Sequence, residues 1–257
     1  MEIVIISLVA FFAAILTFFS GFGLGTILTP VLVIFFPVET AIALTGVVHF
    51  SNNLFKAGLV GKSADKTVLL RFGVPAVIAA FAGAWLLVEI AALPSLLEYQ
   101  LWGREMVVTP VKLIIALLLI VFSILEISPY LQKVQFGKDK LILGGILSGF
   151  FGGLSGIQGA IRSAFLLKSG LSKEGFIATG VLIACLVDFS RLIVYASSFS
   201  VEMLNENLPL LIAATLSAFA GAYLGKRLLK KVTFRSVQLL VAIMLIIISL
   251  AMGSGLI

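Results

Sequence analysis

Histidine and cysteine occur once each in this chain of 257 residues, and only 12% of its residues are charged. These scarcities remove most soluble chemistry. One cysteine, Cys185, set inside an apolar run, excludes an intrachain disulfide and a cysteine metal cluster; it reads as small apolar filler. There is no H-E-x-x-H, no Walker loop and no G-x-S-x-G on a strand, and the fragment Gly21-Phe22-Gly23-Leu24-Gly25 lacks the βα context of a dinucleotide fingerprint. The sequence therefore predicts no catalytic residue, no metal site and no cofactor.

What is present is hydrocarbon. The chain is 61% hydrophobic with a mean hydropathy of +1.21, beyond any ordinary soluble domain of this length. An all-α polytopic membrane protein is expected, one integral domain over residues 1–257. The net charge of +6 implies no nucleic acid, because the lysines and arginines fall mostly between apolar runs, where they set topology in the bilayer. The first run, Ile3 to Phe19, lacks a basic n-region and a small-residue cleavage site and is read as mature structure.

Apolar stretches run over Ile3–Phe19, Thr26–Phe36, Ala41–Val60, Val68–Ala92 and Val107–Leu125, then over Leu141–Phe151, Ala160–Leu167, Phe176–Ser198, Leu208–Leu229 and Val237–Met252. The two sets match. Thr45-Gly46-Val47 falls on Thr179-Gly180-Val181 at an offset of 134 residues, which also places Gly25 on Gly159 and Pro75 on Pro209. Ala80 to Leu86 matches Ala218 to Leu224 at an offset of 138. Duplication is the economical explanation, with a first repeat over 1–130 and a second over 136–257, an organisation that typifies secondary transporters.

Loop charge orients the halves. Basic loops at Lys62, Lys66 and Arg71, at Lys133, Lys138 and Lys140, and at Lys226, Arg227, Lys230, Lys231 and Arg235 are expected in the cytoplasm. Loops with Glu98, Arg104 and Glu105, and with Glu202 and Glu206, are expected outside. The Lys62 loop and its equivalent at Glu202 then lie on opposite sides, so the repeats are inverted, each a glycine-broken helical hairpin plus three transmembrane helices. Both chain ends are expected outside.

The stretch Ser148–Lys168 breaks an apolar segment with Gly149, Gly152, Gly153, Gly156 and Gly159, places Ser155 and Gln158 among them, and sets Arg162 just beyond. So many glycines disfavour continuous helix and suit a backbone turn. A second arm starting near Gly159 would aim its positive end, with Arg162 in the first turn, at an anion; a snorkelling arginine at an interface is the plainer alternative. The first half has its own break, Ser20 to Thr26, with Gly21, Gly23, Gly25 and Thr26; it can face the first across the pseudo-symmetry axis or serve close helix packing. His49, Asn52, Asn53 and Lys56 share one helical face and can line a pathway. His49 can couple proton movement to an anion, or be a satisfied inter-helix hydrogen-bond partner; Lys56 reads as an interface marker. Asp188 and Arg191, three apart, can pair, with Tyr195 one turn beyond, as a structural bridge or as a gating and coupling group.

These features resemble the sulfite exporter TauE/SafE family. The resemblance covers nearly the whole chain: the duplicated halves, Gly21-Phe22-Gly23-Leu24-Gly25 with Thr29-Pro30, Gly149 to Gly156 with Gly159, and Thr45-Gly46 with Thr179-Gly180. Where the family's second half has a glycine cluster and then valine-proline, this chain reads Gln158-Gly159-Ala160-Ile161-Arg162-Ser163. The resemblance implies transport of small sulfur-containing or organic anions such as sulfite, thiosulfate or sulfonates across the bacterial inner membrane. With no nucleotide motif, an ion gradient of protons or sodium would drive it. A membrane-embedded enzyme subunit built on Asp188, Arg191 and His49, or a scaffold without substrate, are the alternatives.

Overall fold

The computed structural model describes residues 1–20, 23–128, 136–198, 201–228 and 235–257. Its helices are α1 (Glu2–Ser20), α2 (Leu24–Val33), α3 (Val38–Val60), α4 (Lys66–Ala91), α5 (Pro110–Ile127), α6 (Leu141–Ser155), α7 (Gly159–Leu166), α8 (Lys173–Ser198), α9 (Val201–Glu206), α10 (Leu208–Leu228) and α11 (Arg235–Gly253). Their starts follow local chemistry. Asp65 caps α4 by accepting from the Val68 amide at 2.8 Å, and Thr109 caps α5 ahead of Pro110, whose missing N–H costs nothing in a first turn. Of the loop residues used for orientation, Lys133, Lys230 and Lys231 lie outside the described residues, as does Gly21 of the first break.

Two details differ from the sequence reading. The run expected from Val107 is split: β1 (Leu97–Leu101) and β2 (Arg104–Val108) form an antiparallel hairpin, and α5 starts only at Pro110. Its two-residue turn, Trp102-Gly103, has both residues at positive φ, the primed geometry that matches strand twist. The second difference concerns the glycine stretch. Gly149, Gly152 and Gly153 are helical, and the break narrows to Gly156-Ile157-Gln158.

Those helical glycines are explained by packing. α6 lies along α4 so closely that a Cβ at Gly145, Gly149 or Gly153 would collide with the carbonyls of Phe72, Ala76 or Ala80, and one at Gly83 with that of Phe150. α1 lies along α10 in the same way, with Gly221 against the Phe11 carbonyl. α3 packs on α8, and α5 on α11. Each half therefore lays its first helix on a late helix of the other.

Polarity runs inside out. Ile78 is 68% and Leu216 60% exposed, whereas Asp188, Arg191 and Asn52 are buried. Such a surface is stable in lipid, where apolar side chains face the solvent and polar groups must be satisfied internally. Three described helices, Lys66–Ala91, Lys173–Ser198 and Leu208–Arg227, are long and apolar enough to cross a membrane.

Candidate functional site

α6 ends because Gly156 turns left-handed at φ +77°, a conformation that disfavours any residue with a Cβ. Ser155 stabilises the turn, donating to the Phe151 carbonyl at 2.9 Å and accepting from the Ile157 amide at 3.3 Å. Its hydroxyl is thus spent within the chain. Gln158 precedes α7, which begins at Gly159, without a side-chain cap on its amides, and Ser148 donates to the Gln158 carbonyl. In the first half, extended Gly23 precedes α2. The two breaks meet: a Cβ on Gly25 would stand 3.2 Å from the Gly156 carbonyl oxygen and 3.4 Å from Thr45 Cγ2. Thr26, next along α2, is buried there too.

Beside this junction lies a cavity of about 30 Å³. Its polar lining is His49, Asn53 and Lys56 from α3, Arg162 and Ser163 from α7, and Thr17 from α1, with no aspartate or glutamate among the described lining residues. Arg162 is buried, so it does not snorkel; its Nη1 donates to Gln158 Oε1 at 3.1 Å. Lys56 is only 4% exposed, with its ammonium 5.3 Å above the Phe18 ring. The interface role read for Lys56 is therefore corrected: the α3 stripe carries it inward rather than to the surface. Gly23 faces the same space, since a Cβ there would reach His49 Nε2 at 3.1 Å.

A charge cluster closes one wall. Asp188 Oδ2 lies 2.6 Å from His49 Nδ1 and accepts from Asn53 Nδ2 at 3.2 Å; Asp188 Oδ1 accepts from Arg191 Nε at 3.0 Å, with Arg191 Nη2 at 2.9 Å. A carboxylate that close to Nδ1 requires the imidazole to donate from it, leaving Nε2 as the nitrogen turned to Gly23 and the cavity. Tyr195 donates to the Gly153 carbonyl, tying α8 to α6. Asn52 is fully buried, and neither atom of its amide has a hydrogen-bond partner.

The paired Thr-Gly motifs have a physical role. A Cβ at Gly46 would stand 3.3 Å from the Arg191 guanidinium carbon, and one at Gly180 3.5 Å from Arg162 Nε. Gly46 makes room for its arginine, whereas Gly180 only borders its own at ordinary van der Waals distance. The structure brings together Gly23, Gly25, His49, Asn53, Gly156, Gln158, Gly159 and Arg162 near one junction, with Asp188, Arg191 and Tyr195 behind it. It adds three residues to the candidates, Thr17, Lys56 and Ser163. Two had a signal: the spacing from His49 for Lys56, and for Ser163 its place on Thr29 at the 134-residue offset.

A family model described as Sulfite exporter TauE/SafE matches residues 6–252. No curated protein and no solved structure matches the chain.

Proposed function

The chain belongs to the sulfite exporter TauE/SafE family, a family of membrane transporters and not of enzymes, and from that premise we propose that it is a secondary transporter of small sulfur-containing or organic anions, held at the Lys56–Arg162 cavity. The observation that carries this reading is two buried cations, Lys56 and Arg162, that line one cavity together. Charges in such an apolar interior cost several kcal/mol unless water or a counter-ion reaches them. A small anion offsets both at once. The guanidinium supplies a planar fork for two oxygens, the ammonium a point charge, and the amides at the start of α7 further donors.

Sulfite is the natural probe. Proteoliposomes containing the protein are expected to take up labelled sulfite or thiosulfate saturably, and liposomes alone are not; equal uptake by both overturns the reading and leaves a scaffold. A proton or sodium gradient is the proposed drive, with His49 Nε2 the group placed to exchange a proton with the cavity.

The proposed setting is the bacterial inner membrane, crossed several times by two inverted repeats spanning 1–130 and 136–257. The exchanged packing of first helices, α1 on α10 and α6 on α4, supports the duplication, as does the equivalence of Gly83 and Gly221, each facing a carbonyl of the other half. Inversion makes a direct prediction. Cysteines placed near Lys62 are expected to label from the cytoplasm and those near Glu202 from outside, as are those near both termini. Labelling of the Lys62 and Glu202 positions from one side contradicts it.

A further inference from the structure

The 134-residue offset relates the cavity to a second place in the molecule. Ser163 falls on Thr29, Gly180 on Gly46, and Lys56 within one residue of Arg191. The second place has the same parts. The Arg191 guanidinium lies against Gly46 as Arg162 lies against Gly180, and it also reaches Gly156, whose Cβ would stand 2.7 Å from Arg191 Nη1. Through Gly156 it adjoins Gly25, and through Gly25, Thr45; Thr29 follows Gly25 by one turn of α2, on the same face.

The hydroxyls here are orphaned. Thr26, Thr29 and Thr45 are all buried, and none of their Oγ1 atoms has a hydrogen-bond partner. A helical threonine can return its hydroxyl to the carbonyl one turn back, as Thr17 does to Ala13 at 2.7 Å. Buried donors left unmade are costly, and a cluster of them beside a guanidinium suits an oxyanion that is bound in another conformation. Arg191 Nε and Nη2 both face Asp188 Oδ1, at 3.0 and 2.9 Å, and Tyr195 stands beside the same guanidinium, while Nη1 is the nitrogen that lies against Gly156.

We propose that Arg191, Thr29 and Thr45 form a second station for a small oxyanion, the duplicated twin of the Lys56–Arg162 cavity, closed in this conformation and opened when the cavity closes. The anion then passes between two stations separated by the His49–Asp188 pair. Asp188 serves as the resident counter-anion of Arg191 whenever that station is empty. This inference rests on the transporter reading.

The test uses isosteric substitutions. Thr29→Val and Thr45→Val remove hydroxyls that have no partner, so the double variant is expected to match the parent in apparent Tm in detergent and in its stabilisation by sulfite, which reports the intact cavity. Its initial rate of sulfite flux in proteoliposomes is expected to fall at least about tenfold, and Thr29→Ser with Thr45→Ser is expected to recover flux. A parental flux in the valine double variant overturns the second station and leaves the cavity untouched. Loss of fold, or of sulfite stabilisation, also overturns it, because the threonines are then structural or belong to the first site. No saturable sulfite flux with the parent overturns the transporter reading and the station with it.

Discussion

Replacing both Lys56 and Arg162 by glutamine is expected to remove measurable anion binding while leaving the empty protein as stable as the parent or more so. The two effects have one cause. Both cations are buried on one cavity, so in the empty state each raises the cost of the other. An oxyanion reverses that balance. Hydrogen bonds to charged groups contribute about 1.5 to 3 kcal/mol each, so either single substitution should weaken binding by roughly one to two orders of magnitude, and the pair by about two to four. Arg162→Lys keeps the charge without the planar fork and should recover only part of the affinity. Sulfite titration followed by thermal unfolding in detergent reads both quantities on one sample. Binding like the parent's in the double variant removes the cavity as the anion site, and a large fall in stability makes the two residues structural partners.

Asp188→Ala is expected to give the largest loss of stability in the molecule. Asp188 is the one acid among the described buried residues, and His49, Asn53 and Arg191 all converge on it. Removing it leaves a buried guanidinium without its counter-charge. Breaking a buried pair from one side costs about 3 to 5 kcal/mol, which for a chain of this size lowers Tm on the order of 10 °C. The neutral combination Asp188→Asn with Arg191→Gln should recover much of that loss, because no uncompensated charge remains. Flux should stay impaired even then, since the carboxylate also fixes the imidazole with Nε2 toward the cavity. A stable, fully active Asp188→Ala protein contradicts both roles.

Packing, rather than the cost of glycine in a helix, shaped the second break. Sequence reasoning treats Gly149, Gly152 and Gly153 as unwinding residues, because glycine is poor for a helix in isolation. Against α4, the same residues let two backbones approach to a distance that no Cβ allows, and the dispersion energy of that contact holds the helix through Ser155. Of the glycines in this stretch, Gly149 to Gly159, only Gly156 takes a positive φ and needs glycine's conformational freedom. The hairpin before α5 escaped notice for another reason: β2 ends in Met106-Val107-Val108, which reads as the continuation of the apolar helix that follows.

The sequence alone determined the lipid solvent, the helical class and the candidate chemistry, because these follow from composition, from period and from the rarity of charge in apolar runs. The polar stripe of α3, the start of α7 at Gly159 and the Asp188–Arg191 spacing were all legible as local geometry. Tertiary structure decided where each charge is spent. Arg191 and His49 were drawn into contact with Asp188, while Lys56 and Arg162 came to line one cavity together. The physical reason is that local spacing sets which side chains share a helix face, whereas the partner of a buried charge is chosen by the packing of different helices. His49 and Asp188 are 139 residues apart, and no period in the chain connects them.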